Sequence, residues 1–201
     1  MNHPPGAWQE RIARDPGHSA RYAERFRQLA AQGHDLYGEA RLVDAMAGRG
    51  AAILDAGCGP GRHAGYLHRA GHRVVGVDVD PTLIAIAQAD APGPLYVVAD
   101  LVDYELPDGA PAAFDMILSA GNVLTFLHPD TRVRALQGFA TRLAPSGRAV
   151  VGFGAGRGYP FEEFLADAET AGLAPQARFA TWDLRPFTPD ADFQVAILAP
   201  A

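Results

Sequence analysis

An apolar stretch, Ile53-Leu54-Asp55-Ala56, runs into Gly57-Cys58-Gly59-Pro60-Gly61 and then into a helix-forming segment from Arg62. Three alternating glycines permit positive φ and let a ligand lie against bare main chain. The helix start beyond them offers unpaired N–H groups to a negative group such as a carboxylate. Twenty-one residues past Gly57, the run Val74-Val75-Gly76-Val77 ends at Asp78. A carboxylate in that place accepts from both hydroxyls of a ribose. Either feature alone is equally a tight turn or a capping acid. In strand–loop–helix–strand order they point to an adenosine-containing ligand.

Asp55 narrows the ligand. It stands two residues before the first glycine, so the loop begins with a negative charge that repels a dinucleotide pyrophosphate. The same charge attracts the ammonium and sulfonium of S-adenosylmethionine, whose carboxylate can use the loop amides or an arginine. Arg62 occupies the place of the last glycine in the dinucleotide pattern, which further disfavours a nicotinamide-dependent oxidoreductase. Asp100, closing Val97-Val98-Ala99-Asp100, is placed to accept from an adenine amino group.

Composition limits the chemistry. All seventeen positive charges are arginine, so the chain has no lysine. A Walker A phosphate loop, a Schiff base and a Tyr-x-x-x-Lys hydride-transfer pair are excluded. A formal net charge of −6 works against a nucleic-acid partner, because phosphate neutralisation supplies most such affinity. No apolar run approaches the ~20 residues of a membrane span, and residues 1–15 are too polar and proline-bearing for a secretory signal. The lone cysteine, Cys58, can form no internal disulfide, which fits a reducing cytoplasm. At 201 residues, 48% of them hydrophobic, the chain can bury a core and hold a cleft.

The elements that must position these groups follow from periodicity. Residues 1–15, with two proline-bearing stretches, read as a loosely held arm. A helix is expected over 20–31 with Ser19 as N-cap and Gly33 after its end, and a second over 39–47. Strands are expected at 51–55, 73–78, 95–99, 114–119 and 149–153, with helices at 62–70, 81–90 and 130–143 between them. Asp80-Pro81 is a strong helix entry; Gly71 and Gly147 stand where helix ends are expected. A helix over 161–171 and strands at 178–183 and 193–198 complete the chain. Only residues 184–192 join the last two strands, too short a connection for a helical crossover, so the final strand should run antiparallel. The expected fold is α/β: a Rossmann-like doubly wound sheet in three α/β/α layers, mostly parallel with an antiparallel terminal strand. Residues 1–50 would supply an N-terminal arm and helices, and 51–201 the ligand-binding domain.

From about Ala20 to the C-terminus the sequence resembles the class I S-adenosylmethionine-dependent methyltransferases. The matching stretches are Asp55-Ala56-Gly57-Cys58-Gly59-Pro60-Gly61, Gly76-Val77-Asp78, Ala99-Asp100-Leu101, the strand from Phe114 to Asn122, and Leu143-Ala144-Pro145-Ser146-Gly147-Arg148. The resemblance implies that Gly57 and Gly59 pack along the methionine part of the cofactor and Asp55 holds its amino end. Asp78 and Val79 would hold the ribose side, Asp100 and Leu101 would frame the adenine, and Ala120 and Asn122 would lie beside the reacting methyl. It also makes the amino-terminal helices a lid, with Tyr22 and Arg41 as contacts to the cofactor carboxylate. The rival readings are core packing for Tyr22 and a surface charge for Arg41. Where nucleobase- or glutamine-methylating members carry Asn/Asp-Pro-Pro-Tyr/Phe, this chain has Ser119-Ala120-Gly121-Asn122-Val123-Leu124. A small-molecule acceptor is therefore expected.

A general base is hard to find. His128, beyond the fourth strand, is the candidate, with a solvated loop histidine as its alternative. Arg157 could meet an acidic group on the acceptor, and Trp182-Asp183 reads as packing and capping. His63, His68 and His72 lack a cysteine or acid to complete a ligand set, so no metal is expected. The alternative function is a binding module that keeps the cofactor pocket without catalysis. Composition specifies no oligomeric state.

Overall fold

The computed structural model describes residues 3–201. Its centre is a seven-stranded sheet of order β3-β2-β1-β4-β5-β7-β6. The strands are β1 (Ala52–Ala56), β2 (Arg73–Asp78), β3 (Leu95–Val98), β4 (Phe114–Ser119), β5 (Leu143–Gly154), β6 (Leu173–Phe179) and β7 (Phe193–Pro200). β1, β2, β3, β4 and β5 pair in parallel, whereas β7 runs antiparallel to both β5 and β6. The helices are α1 (Ala7–Arg14), α2 (His18–Ala31), α3 (Gly38–Met46), α4 (Arg62–Arg69), α5 (Pro81–Asp90), α6 (Arg132–Arg142) and α7 (Phe161–Thr170).

Strand side chains alternate between two apolar layers. Ile53, Met116, Leu118 and Val150 pack with Ala40 and Val43 of α3 and Ala64 and Leu67 of α4. Leu54, Ile117 and Val151 turn the other way, onto Leu136 and Phe139 of α6 and Phe164 of α7. β1 is buried along its whole length, as a central parallel strand covered on both faces should be. The fold is the expected three-layer Rossmann-like arrangement, with the antiparallel β7 inserted beside β5.

Four local expectations are corrected. Residues 3–15 are not a loose arm: they carry α1, whose Trp8 donates to Asp80 at 2.9 Å. Ser19 is not an N-cap; α2 begins two residues earlier than expected, at His18 after Gly17, and the Ser19 hydroxyl is buried in a hydrogen bond to Asp80. Gly147 lies inside β5 rather than after a helix. There, the register shifts between Phe114 and Met116 of β4, and that irregularity absorbs the Pro145-Ser146-Gly147 stretch. β6 runs over Leu173–Phe179 instead of 178–183. Its Pro175 is tolerated because β6 is an edge strand with a register shift between Pro175 and Ala177. Residues 181–185 instead make a turn, closed by the Ala180 N–H donating to the Arg185 carbonyl at 2.8 Å.

Candidate active site

All five parallel strands point their carboxyl ends the same way, and a cleft opens there between the ends of β1, β2, β3 and β4. The space between them is about 670 Å³, open mouth included. The floor is the glycine loop. Gly57, Gly59 and Gly61 take φ of 84°, 53° and 78°, a left-handed backbone that favours glycine. Gly57 N–H and Cys58 N–H both donate to the Val77 carbonyl, at 2.8 and 3.0 Å, which ties the loop to the end of β2. A Cβ on Gly57 would lie 2.4 Å from the Val123 side chain, whereas one on Gly59 would meet only Tyr22, at 3.9 Å. The loop can therefore be approached closely at Gly59.

Two acids edge the floor. Asp78, ending β2, accepts from Gly59 N–H at 2.8 Å through one oxygen and from Asp80 N–H at 2.9 Å through the other. Both oxygens are thus held in place while the side chain lines the cleft. Burial pushes its pKa up to about 6 against the opposing pull of those amides. Asp100 follows β3 and accepts from Val102 N–H at 3.0 Å. Val79 and Leu101 stand beside these acids on the cleft wall, and Ala120 and Gly121 line it beyond β4.

The roof comes from the N-terminal segment. Trp8 contacts Tyr22 edge-on at 5.2 Å and Phe126 at 5.7 Å between ring centroids. All three rings line the cleft. Asp80, almost fully buried, joins the elements beneath: it caps α5 by accepting from Thr82 N–H and Leu83 N–H, and also receives Trp8 Nε1–H and the Ser19 hydroxyl. Gly6 has to be small, since a Cβ there would lie 2.4 Å from the Phe126 carbonyl oxygen.

The structure thus brings Tyr22, Gly57, Gly59, Asp78, Val79, Asp100, Leu101 and Ala120 to one cleft. Five candidates lie elsewhere. Asp55 is buried beneath the loop, where it accepts from Ala64 N–H at 3.0 Å in the first turn of α4. Desolvation raises its pKa to about 7, with that N–H and Arg62 opposing. Asn122 sits at φ 67° and spends its side-chain oxygen on Gly154 N–H at 2.8 Å. Arg41 is bound to Asp35 by two guanidinium hydrogen bonds in a separate groove with Trp182 and Leu184. His128 caps a 3₁₀ turn, its Nδ1 accepting from Asp130 N–H at 3.3 Å. Arg157 is exposed.

The histidines of the metal question face separate partners. His63 is buried 3.9 Å from Glu39, and His72 lies 3.0 Å from Asp44. His68 abuts Gly93. Sequence reasoning missed Trp8, Gln9 and Phe126. A tryptophan in a polar arm was the available signal, because so large an apolar surface is rarely left in water.

The family described as "Methyltransferase domain" matches residues 53–147. A TehB-like SAM-dependent methyltransferase from Corynebacterium glutamicum superposes with a TM-score of 0.87 and is 51% identical, covering 93% of this chain and 100% of that one. The chain belongs to the S-adenosylmethionine-dependent methyltransferases. Two further methyltransferases are similar over shorter stretches. The malonyl-[acyl-carrier protein] O-methyltransferase of Pseudescherichia vulneris is 31% identical over 134 residues, 62% of this chain and 51% of that protein. The magnesium-protoporphyrin O-methyltransferase of Rhodobacter capsulatus is 33% identical over 90 residues, 45% of this chain and 39% of that protein. The matches thus span about half or less of these two methyltransferases. Among the described residues, no helix of this methyltransferase is long and apolar enough to cross a membrane.

Proposed function

We propose that the chain transfers a methyl group from S-adenosylmethionine to a small-molecule acceptor. The observation that carries this reading is the convergence of Gly59, Asp78 and Asp100 on one cleft roofed by Trp8, Tyr22 and Phe126. These residues fit the cofactor: open main chain at Gly59, and acids at successive strand ends spaced for a ribose and a base. When bound, S-adenosylmethionine supplies an electrophilic methyl on a sulfonium. Asp78 accepts from the ribose hydroxyls, with Val79 alongside. Asp100 accepts from the adenine amino group and Leu101 packs on the ring. Gly57, Ala120 and Gly121 line the place of the methionine portion, and Tyr22 closes over it. Asp55 acts on the amino end from below, through its charge.

The remaining work of the protein is to hold the acceptor in line with the methyl, worth up to ~7–11 kcal/mol in favourable cases. The aromatic roof excludes water from that encounter. His128 is committed to its turn, so no proton-transfer step is assigned to it. A small acceptor is supported by a relative named for magnesium-protoporphyrin. The net charge of −6 argues against a nucleic acid. A reducing cytoplasmic setting fits the single, buried Cys58.

The test is multiple-turnover release of S-adenosylhomocysteine when the protein and S-adenosylmethionine meet the low-molecular-mass fraction of a cell extract. Release confined to that fraction is expected. Tight cofactor binding with no turnover on any fraction would instead establish the catalytically silent binding module.

A further inference from the structure

Gln9 is the residue through which α1 reaches the adenosine end of the cleft. Its Oε1 accepts from the Gly6 N–H at 2.6 Å, and its Nε2 donates to Asp100 Oδ2 at 3.0 Å. The two bonds fix each other: a backbone N–H can meet only the amide oxygen, so the amide nitrogen must face the carboxylate. The other Asp100 oxygen accepts from Val102 N–H at 3.0 Å. His3 Nε2 lies 3.9 Å from the oxygen that Gln9 binds. Asp100 is therefore held from both sides, by α1 and by its own loop, while still lining the cleft. A carboxylate has about four lone-pair sites, so this pinned group retains accepting capacity toward a ligand.

We propose that Gln9 determines nucleobase specificity: it fixes Asp100 as a rigid, acceptor-only edge that selects a base presenting an amino group and rejects one presenting a carbonyl oxygen. The inference rests on the proposed cofactor reading. Two acceptors facing each other in a desolvated site cost more than one missing hydrogen bond, which is why polar edges discriminate more sharply than apolar walls. Released from Gln9, the carboxylate can turn or admit water, and the penalty against a carbonyl oxygen relaxes.

Calorimetry with S-adenosylhomocysteine and its 6-oxo counterpart, S-inosylhomocysteine, tests this on the wild type, Gln9→Met and Asp100→Asn. Methionine preserves length and helix propensity while removing both polar ends, and Gln9→Ala serves as a second variant with the same expectation. The wild type should prefer the amino ligand, and Gln9→Met should lose roughly 3- to 10-fold of that preference, on the scale of the net worth of one hydrogen bond. Asp100→Asn should abolish the preference, since a carboxamide can donate to a carbonyl oxygen. If both Gln9 variants keep the wild-type preference, or weaken both ligands by one factor, Gln9 merely packs and the proposal is overturned. A wild type that binds neither ligand overturns the cofactor reading and this inference with it. Loss of preference in Asp100→Asn alone removes only the role of Gln9.

Discussion

Asp78 does two jobs with one carboxylate. It satisfies the buried amides of Gly59 and Asp80, and under the proposed reading it accepts from the cofactor ribose. Asp78→Ala should therefore weaken S-adenosylhomocysteine binding by roughly 1–3 kcal/mol through lost charge-assisted hydrogen bonds. The same variant should also melt lower, because two amides lose their partner. Calorimetry and thermal melts read the two effects separately, and unchanged affinity in the folded variant would remove the ribose role. The places of Gly57, Gly59 and Asp78 on the cleft were legible from residue type and spacing, because a glycine loop and a strand-end acid act through local backbone. Arg41 and Asn122 were not, since their side chains were taken by Asp35 and by Gly154 N–H. Those partners lie on other elements or beyond a loop.

Among the elements, α1 departs most from expectation. It has no buried residue of its own, so little apolar burial holds it. Its seat depends on Trp8, through the aromatic contacts and the bond to Asp80. Trp8→Phe keeps a ring and removes the donor. It should cost about 0.5–1.5 kcal/mol of stability and speed amide hydrogen exchange across Ala7–Arg14, while exchange in β1 stays slow. Unaltered exchange in α1 would mean that Asp80 does not pin the helix. β6 teaches a related point. Its Pro175 is accommodated by an edge position with a register shift. Whether a strand lies at an edge depends on sheet order, which no local window contains.

Two buried acids couple the whole molecule to pH. The pKa values of Asp55 and Asp78 are raised by burial to about 7 and about 6, above the ~3.9 of an unfolded aspartate. Between those limits the folded chain binds more protons than the unfolded one, so this contribution to stability is complete below about pH 4 and is lost as pH rises through 6 and 7. Cofactor binding should run the opposite way. The ammonium and the ribose hydroxyls of the ligand both favour the ionised acids, so affinity should rise over the same interval. Melts at about pH 5.5 and 8, with and without S-adenosylhomocysteine, should show the free protein losing stability as the ligand-induced shift grows. At a hundredfold excess over Kd that ligand adds about 2.7 kcal/mol. A shift that does not change with pH would mean that neither acid changes ionisation when the ligand binds.

The amino-acid sequence by itself determined the alternation of strands and helices, the glycine loop with its flanking acids, and the antiparallel return of the last strand. Each is a matter of short-range periodicity, backbone freedom or connection length. Tertiary structure decided that the N-terminal segment is a roof, that Asp55 lies under the loop, and that Gln9 meets Asp100 across ninety-one positions of chain. Such pairings arise because buried polar groups must find partners wherever the packed elements bring them, and sequence distance places no restriction on that choice.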